Sequence, residues 1–295
     1  MSDTVESLRR KIRSAHELQS VVRTMKAFAA TSIGQYENAV RSLTDYHRGV
    51  ELGLIACLRG NERAAGRAIT GASKGQGAMR AIIFGSDQGL VGAFNDSVAQ
   101  LAISVLCAHP GNRVWVVGER VRARLSDAGL APRKQLLVPG SVEAITPLVR
   151  EALIDVEADR ESRHAPLWVF HNRPVSSSSY EPVALKLLPL DANWLAGMVD
   201  RIKWPSANQP QVMGAPFTVL SALIREYLFI SLYRACAESL ASENASRLAA
   251  MERADRNISE LSERLQGDYH RVRQDGIDEE LFDVISGFEA SSLPA

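Results

Sequence analysis

Proline is missing from two long parts of this chain. None of the twelve prolines lies between Met1 and His109, and none lies between Pro216 and Pro294. Because proline costs a helix interior roughly 3 kcal/mol, such stretches are where long helices can form. The second stretch, Phe217 to Gly287, would measure about 105 Å as one helix at about 1.5 Å per residue. That length exceeds what a compact domain needs, so the pattern favours a mechanical or assembly element.

Cysteine is also scarce. The three cysteines, Cys57, Cys107 and Cys236, form neither a CxxC pair nor a zinc-binding spacing. Thiols that are so few and so widely separated are typical of a protein from a reducing compartment. Cys107 lies among apolar neighbours, which predicts a place for it in the core.

Long apolar runs are absent as well. No stretch reaches the roughly 18 apolar residues of a membrane-spanning helix. The N-terminal residues MSDTVESLRRK lack the apolar segment of a secretory signal peptide. We therefore expect a cytoplasmic protein, which could still dock onto a membrane-bound partner.

The charges balance over the whole chain. Lysine and arginine number 34, and aspartate and glutamate also number 34, so the total does not point to nucleic acid. The ends differ, because basic residues crowd positions 9–26 and acidic residues crowd positions 275–283. Two interpretations remain open, namely solvated helix faces or a charged partner at each end.

A heptad-like spacing marks the N-terminal segment. Spacings of three and four separate most of its apolar positions, close to a coiled-coil period. These positions are Val5, Leu8, Ile12, Ala15, Leu18, Val22, Met25, Ala29, Ile33, Tyr36, Val40, Leu43, Val50, Leu54 and Cys57. The pattern predicts one coiled-coil helix over residues 1–58, which Gly34 weakens by roughly 1 kcal/mol without ending it. The glycine-rich residues 59–78 are predicted to be a linker.

The middle of the chain, residues 79–192, follows a different pattern. Strands are predicted at 81–84, 114–117 and 135–138, helices at 96–107, 119–128 and 141–157, and a hairpin at 167–170 and 184–188. Such alternation with short loops is typical of a Rossmann-like α/β domain with a largely parallel sheet. Residues 193–216 are a proline- and tryptophan-rich connection.

A second heptad register runs through the predicted C-terminal helix, residues 217–288. Several positions on its seam are polar, namely Arg234, Asn244, Asp255 and Ser262. A strong dimeric coiled coil would not tolerate so many polar seam residues, whereas a helix pair that turns against several different surfaces could.

The two long helices can pair only if the α/β domain is inserted between them. The expected fold is therefore α/β plus a long antiparallel coiled coil, in which the numbers of paired positions sum to about 275. Because the C-terminal helix is longer, Gln274 to Gly287 would extend beyond the partner helix. Apolar side chains in that segment, such as Leu281 and Phe282, would need a covering partner.

No group of residues has the spacing of a catalytic, cofactor-binding or metal-binding site. Gly85, Gly89 and Gly92 follow a strand and precede a helix, as phosphate-binding glycines do. Their spacing fits neither GxGxxG nor GxxxxGK[ST], and no lysine follows, so a structural turn is favoured. The six histidines form no HExxH motif. We expect no catalytic residue, no cofactor and no metal.

Four segments follow recognisable motifs. They are LRRKIRSAHELQSVVRTMKAFAA from residue 8, GSDQGLVGAFN from residue 85, YLFISLYRACAESLASENASRLAAM from residue 227, and Arg273-Gln274 with Ile277 and Glu280-Leu281. In this order they resemble four segments of the γ subunit of bacterial F-type rotary ATP synthases. The third is similar almost residue for residue to Y-L-x-x-x-x-Y-x-A-x-x-E-S-x-A-S-E-x-x-x-R-x-x-A-M. The resemblance covers the whole chain.

The resemblance implies a function as the central rotor shaft, which couples ion flow through the membrane sector to ATP synthesis or hydrolysis. Its implied partners are the α and β subunits of the catalytic ring, the ε subunit and the membrane ring of c subunits. Catalysis would take place on β, so the chain would be a non-catalytic subunit. Its implied location is the cytoplasmic face of the bacterial plasma membrane, as a peripheral protein.

The resemblance also implies which residues contact the catalytic subunits. They are Met25, Lys26, Arg247, Arg273, Gln274 and Glu280. The sequence departs from the family pattern at Gln88, Val91, Ala93, Asp278 and Thr31 to Gly34. These departures are compatible with the main enzyme and with a divergent alternate version of it.

Two functions of other classes stay open on the residues alone. One is a cytosolic coiled-coil scaffold or adaptor, which would co-purify with partners other than ATPase subunits. The other is a nucleotide-binding α/β enzyme, which ATP or dinucleotide binding by the isolated chain would support.

Overall fold

The fold is that of a computed structural model. It describes residues 4–59, 78–109, 111–159, 161–162, 165–176, 179–190 and 210–292, with 194, 197, 198, 202, 204, 206 and 208 between them, and with the side chains of 287–292 excepted. The predicted linker therefore lies outside the described residues apart from its two ends. Two compact units are formed, one by the residues up to Phe28 with those from Leu248 onward, the other by Ala29–Arg247.

The main elements follow the predicted order. The helices are α1 (Val5–Ser42), α2 (Thr44–Arg59), α3 (Phe94–Leu106), α4 (Glu119–Asp127), α5 (Ile145–Ala158) and α6 (Pro216–Ser292). The strands are β1 (Arg80–Phe84), β2 (Arg113–Val117), β3 (Lys134–Leu136), β4 (Leu167–Ser176) and β5 (Ser179–Leu188). The hairpin strands β4 and β5 are longer than predicted, and α5 begins four residues later than predicted.

The predicted single N-terminal helix is interrupted at Leu43, between α1 and α2. The Ser42 hydroxyl donates to the Ala39 carbonyl at 2.9 Å, and the Thr44 hydroxyl reaches the Val40 carbonyl at 3.4 Å. Hydroxyls that bond to carbonyls of the preceding turn compete with the helical ladder and bend helices.

The five strands form one sheet in the order β3-β2-β1-β4-β5. The first four strands are parallel, and β5 pairs antiparallel with β4 at the edge. Side chains alternate between the two faces of the sheet. Ile83 and Val116 lie in the core with α3 and α4, whereas Ile82 and Trp115 lie in the core that also contains residues of α2, α5 and α6.

Residue contacts within each unit are those of antiparallel helix pairing. In the unit that contains the N-terminus, Arg9 donates to Tyr269 at 3.0 Å and Gln19 donates to Ser259 at 2.9 Å. In the other unit, Tyr46 donates to the Glu226 carboxylate at 3.0 Å. In both units the numbers of the paired positions sum to values close to 275. The predicted fold, a long N-terminal helix paired with a long C-terminal helix around a sheet domain, is confirmed.

The predicted core position of Cys107 is wrong. Cys107 is exposed at the C-terminal end of α3, where Leu106 fills the core instead. Cys57 and Cys236 are buried. The apolar neighbours of Cys107 in the sequence belong to a helix whose buried face ends one residue earlier.

Candidate partner-contact surfaces

A polar layer around Asp255 interrupts the helix seam in the unit that contains the N-terminus. Lys26 pairs with the Asp255 carboxylate at 3.2 Å, and Gln19 donates to it at 3.3 Å. Arg23 lies 3.6 Å from the same carboxylate. Lys26, one of the predicted contact residues, is therefore half-buried and ion-paired within the chain.

The charges around Asp255 stabilise its ionised form. The hydrogen bond from Lys26 is the main cause that holds the pKa of this carboxyl below its ordinary value, and Gln19 and Arg23 add to the effect. Burial acts in the opposite direction and is outweighed. A polar residue at a seam position specifies the register of a helix pair, because a slipped pair leaves the charge without its partners.

The seam in α1 uses different residues from those predicted at two positions. Gln19 and Lys26 face the seam, whereas Leu18 is 58% exposed. Leu18, Val21 and Phe28 together form an outward apolar stripe, and Phe28 is 71% exposed. The half-buried Met25 lies between Val21 and Phe28 in the same i, i+3, i+4 spacing. Apolar side chains that line one outer helix face are typical of a surface that meets a partner.

Arg247 lies in the other unit and is also paired within the chain. Its guanidinium bonds to the Glu243 carboxylate at 2.5 Å and to the Asn244 side-chain oxygen at 3.3 Å. Burial raises the pKa of Glu243, and the nearby Asp87 charge adds to the rise, while Arg247 opposes it. These side chains line a cavity of about 200 Å³, whose wall also includes Tyr36 of α1.

The described side chains of α6 beyond Val272 are all exposed. Val272 is the last half-buried residue among the described side chains, and the exposed segment runs from Arg273 to Ser286. Arg273, Gln274 and Glu280, which the resemblance assigns to partner contact, all lie in this segment. Large apolar side chains accompany them, and their exposed fractions are 52% for Ile277, 56% for Leu281, 68% for Phe282, 70% for Val284 and 45% for Ile285.

The glycine-rich turn after β1 is held by its own side chains. Asp87 accepts the backbone N–H groups of Glu119 and Val138, both at 2.9 Å. Asn95 accepts the N–H of Ser86 and donates to its hydroxyl. A carboxylate thus occupies the carboxyl edge of the parallel strands, where a phosphate would need donors and no negative charge. This arrangement supports the predicted structural turn.

In the part of the chain that the structure describes, no three histidine, cysteine, aspartate or glutamate side chains are grouped to hold a metal ion. No helix within these residues combines the length and the apolarity that crossing a bilayer requires.

Known proteins resemble this chain over almost its whole length. The model of the family described as ATP synthase matches residues 4–291. The ATP synthase gamma chain of Solibacter usitatus is 26% identical over 291 residues, which are 96% of this chain and 98% of that protein. That of Methylorubrum populi is 27% identical over 299 residues, which are 97% and 99%. The chain belongs to the ATP synthase gamma chain family.

Solved structures agree with the gamma chain fold. A chain of the Euglena gracilis mitochondrial ATP synthase, in a structure of OSCP, F1 and c-ring, superposes with a TM-score of 0.64 at 15% identity and covers 99% of this chain and 97% of its own. A chain of the Tetrahymena thermophila enzyme, in a structure of the central stalk and c-ring, gives 0.56 at 17% identity and covers 79% and 99%.

Family membership confirms the predicted function. The gamma chain is the rotor subunit of the central stalk in F-type ATP synthases, and it is a non-catalytic component of the complex. This gamma chain is divergent, since its identity to these two relatives is 26% and 27%. The scaffold and nucleotide-binding enzyme alternatives are therefore set aside.

The sequence analysis missed one group of residues in this gamma chain. Glu238, Ser242 and Ser246 lie four residues apart on α6, and all three are buried against the α/β domain. They fall inside the motif that carries the strongest resemblance, and the motif alone does not show which of its side chains are buried. The available signal was their spacing of four residues, which places all three on one helix face.

Proposed function

We propose that this gamma chain turns inside a ring of α and β catalytic subunits through the exposed end of α6. The observation that carries the proposal is the continuous exposed segment from Arg273 to Ser286. Apolar surface that stays in water costs about 25 cal/mol per Å² relative to buried surface. We therefore expect partner residues to surround this segment as an apolar collar. The contacts there would be numerous and individually weak, which permits rotation.

Arg273 and Gln274 are proposed to hold a catalytic-subunit loop in one rotary position. Both are exposed polar side chains at the point where the helix pair ends. Charge-assisted hydrogen bonds contribute about 1.5–3 kcal/mol each, more than an apolar sliding contact. Glu280 lies one to two turns further along the same helix and would add a second charged contact.

Met25 and the outward stripe of Leu18, Val21 and Phe28 are proposed to form a further contact with the catalytic ring. Lys26 and Arg247 are engaged in ion pairs with Asp255 and Glu243. Their proposed role is accordingly to support the contact surface, and a partner carboxylate would have to compete with these ion pairs.

The α/β domain is proposed to join the ε subunit on the ring of c subunits. The protein would then be peripheral, at the cytoplasmic face of the bacterial plasma membrane, and attached only through the complex. An alternate ATP synthase, present beside the main one in the same cell, would use the same contacts.

Affinity purification of the tagged full-length chain from its own cells tests the proposed partners. We expect mass spectrometry to find α, β, ε and c subunits in the eluate, and magnesium-dependent ATPase activity to co-purify. Matched controls are the tag alone and a chain that ends at residue 272. Recovery of partners that include no ATPase subunit would contradict the proposal.

A further inference from the structure

The contact between α6 and the α/β domain contains a row of directional hydrogen bonds. On α6, the donors and acceptors are Glu238, Ser242 and Ser246, which we name the polar seam. The His171 ring bonds to the Glu238 carboxylate at 2.9 Å. The seam lies wholly within the unit Ala29–Arg247.

The other two contacts of the polar seam reach backbone. The Ser242 hydroxyl lies within hydrogen-bonding distance of two carbonyls, that of Asn172 in β4 at 3.0 Å and that of Glu238 on its own helix at 2.9 Å, so its one proton is shared between them. The Ser246 hydroxyl donates to the carbonyl of Val91, in the turn that follows β1. The Asn172 side chain in turn donates to the carbonyl of Phe94 at 2.8 Å, so strand, turn and helix are linked in one network.

The network is shielded from water. His171 and Asn172 are fully buried, and Ser242 is 1% exposed. Small neighbours on the same helix, among them Ala241 and Ala245, are also buried, which lets the helix backbone approach the domain closely. In such surroundings an unmade hydrogen bond costs about 1–3 kcal/mol, so the partners stay together.

Glu238 is the charged end of the polar seam. Burial would raise the pKa of its carboxyl, but the bond and charge of His171, followed by those of Arg234, outweigh it and leave this pKa below its ordinary value. Arg234 bonds to the second carboxylate oxygen at 2.7 Å. Both oxygens are therefore engaged, and the carboxylate has a fixed orientation.

We propose that the polar seam is the element that makes the junction between the α/β domain and α6 torsionally stiff. Apolar contacts are non-directional and tolerate small sliding displacements, whereas hydrogen bonds weaken steeply as their distance and angle change. A helix that turns relative to the domain would distort all three contacts of the polar seam with the domain at once. The inference rests on the proposed function, because only a rotor carries torque across this junction.

The test measures stiffness in the assembled complex. The catalytic ring is immobilised, a probe is attached to the exposed Cys107 of the α/β domain, and its angular variance is recorded during the pause before ATP binds. For Ser242→Ala with Ser246→Ala, we expect the variance to rise about twofold, because two of three directional contacts are lost. Unloaded ATPase activity should stay within about twofold of wild type, since the surfaces proposed to meet the ring are untouched.

The matched control removes two hydroxyls outside the polar seam. Ser104→Ala with Ser221→Ala changes two exposed serines, of which Ser104 bonds within its own helix. Its variance should equal that of wild type. Glu238→Gln keeps an acceptor for His171 and should retain most of the stiffness, whereas Glu238→Ala should not. A merely structural role would lower the melting temperature of the seam variants and leave the variance unchanged, which would overturn the proposal.

Failure of the stiffness proposal can be distinguished from failure of the proposed function. If the double variant does not assemble, the single variants Ser242→Ala and Ser246→Ala carry the same test, and each should raise the variance above that of the control. If the wild-type chain itself does not enter the complex, the proposed function fails, and a torque-bearing role for the polar seam fails with it. If every seam variant rotates normally with unchanged variance, the proposal that the polar seam stiffens the junction is contradicted, while the proposed function as a rotor stands.

Discussion

At the scale of single residues, Asp255 gives the helix pair a pH dependence of known sign. Its pKa is lower in the folded chain than its ordinary value of 3.8. The stabilisation is therefore fully present above that ordinary value and is lost as the pH falls through the lowered pKa. We expect Asp255→Asn to melt below wild type at neutral pH, and the difference to shrink in acid.

Thermal unfolding of the full chain between neutral pH and about pH 3 measures this effect. The matched control is Asp268→Asn, because Asp268 is half-exposed and pairs with Arg271 on its own helix. Such exposed pairs contribute little, so this variant should follow wild type. A melting difference for Asp255→Asn that is the same at all pH values would refute the assigned role.

Gly85 offers a residue-scale test of the turn after β1. A methyl group there would lie 2.3 Å from Cγ1 of Val121 and 2.9 Å from the Asn95 side-chain oxygen. We expect Gly85→Ala to lower the free energy of unfolding by about 1–3 kcal/mol through overpacking. Gly89→Ala is the control, since its nearest neighbour is an Arg120 nitrogen at 3.8 Å. Denaturant titration compares them, and equal stabilities would contradict the packing.

At the scale of elements, substitutions in the outward stripe of α1 should affect assembly of the complex without affecting folding of the chain. Replacing Leu18, Val21 and Phe28 by serine removes exposed apolar side chains, so the stability of the isolated chain should change by no more than about 0.5 kcal/mol per site. Assembly with the catalytic subunits and the resulting ATPase rate should fall severalfold. The control is Ser14→Ala with Glu17→Ser, on exposed positions of the same helix. A triple variant that assembles normally would show that the stripe meets no partner.

The end of α6 provides a second element-scale prediction. Removing residues 288–295 should leave ATPase activity of the complex largely intact, because the apolar contacts in the collar are many and individually weak. Arg273→Leu with Gln274→Leu should lower the activity clearly without blocking assembly, since these side chains are proposed to make stronger directional bonds. ATPase rates of both reconstituted complexes decide the matter, and the reverse order of severity would contradict it.

The elements also indicate how far sequence patterns reach. The α6 register was predictable because apolar residues such as Met251, Ile258 and Leu265 recur at heptad spacing and all face the seam. In α1 the predicted seam position of Leu18 is wrong, because the neighbouring Gln19 faces the seam and bonds with Asp255 and Ser259. Periodicity counts apolar residues, so it cannot recognise a polar layer whose partners lie more than 200 positions away.

At the scale of the whole molecule, the sequence was sufficient to predict the family, whereas the contacts between distant elements required the structure. The family followed from motif order along the chain. The bonds of His171 to Glu238 and of Ser242 to Asn172 required the fold, because β4 and α6 are joined only by tertiary packing. The contact surfaces of the rotor remain predictions, since their partners are other chains.

The central claim is that this chain rotates within a catalytic ring. Cys107 is exposed, whereas Cys57 and Cys236 are buried and burial raises the pKa of both thiols, so a thiol-reactive probe should label Cys107 on the α/β domain. The labelled chain is assembled with α and β subunits from the same organism, the ring is fixed to a surface, and ATP is added. The account predicts unidirectional, ATP-dependent rotation of the probe that stops when ATP is withdrawn. An assembled, ATP-hydrolysing ring in which the probe keeps one orientation would contradict it.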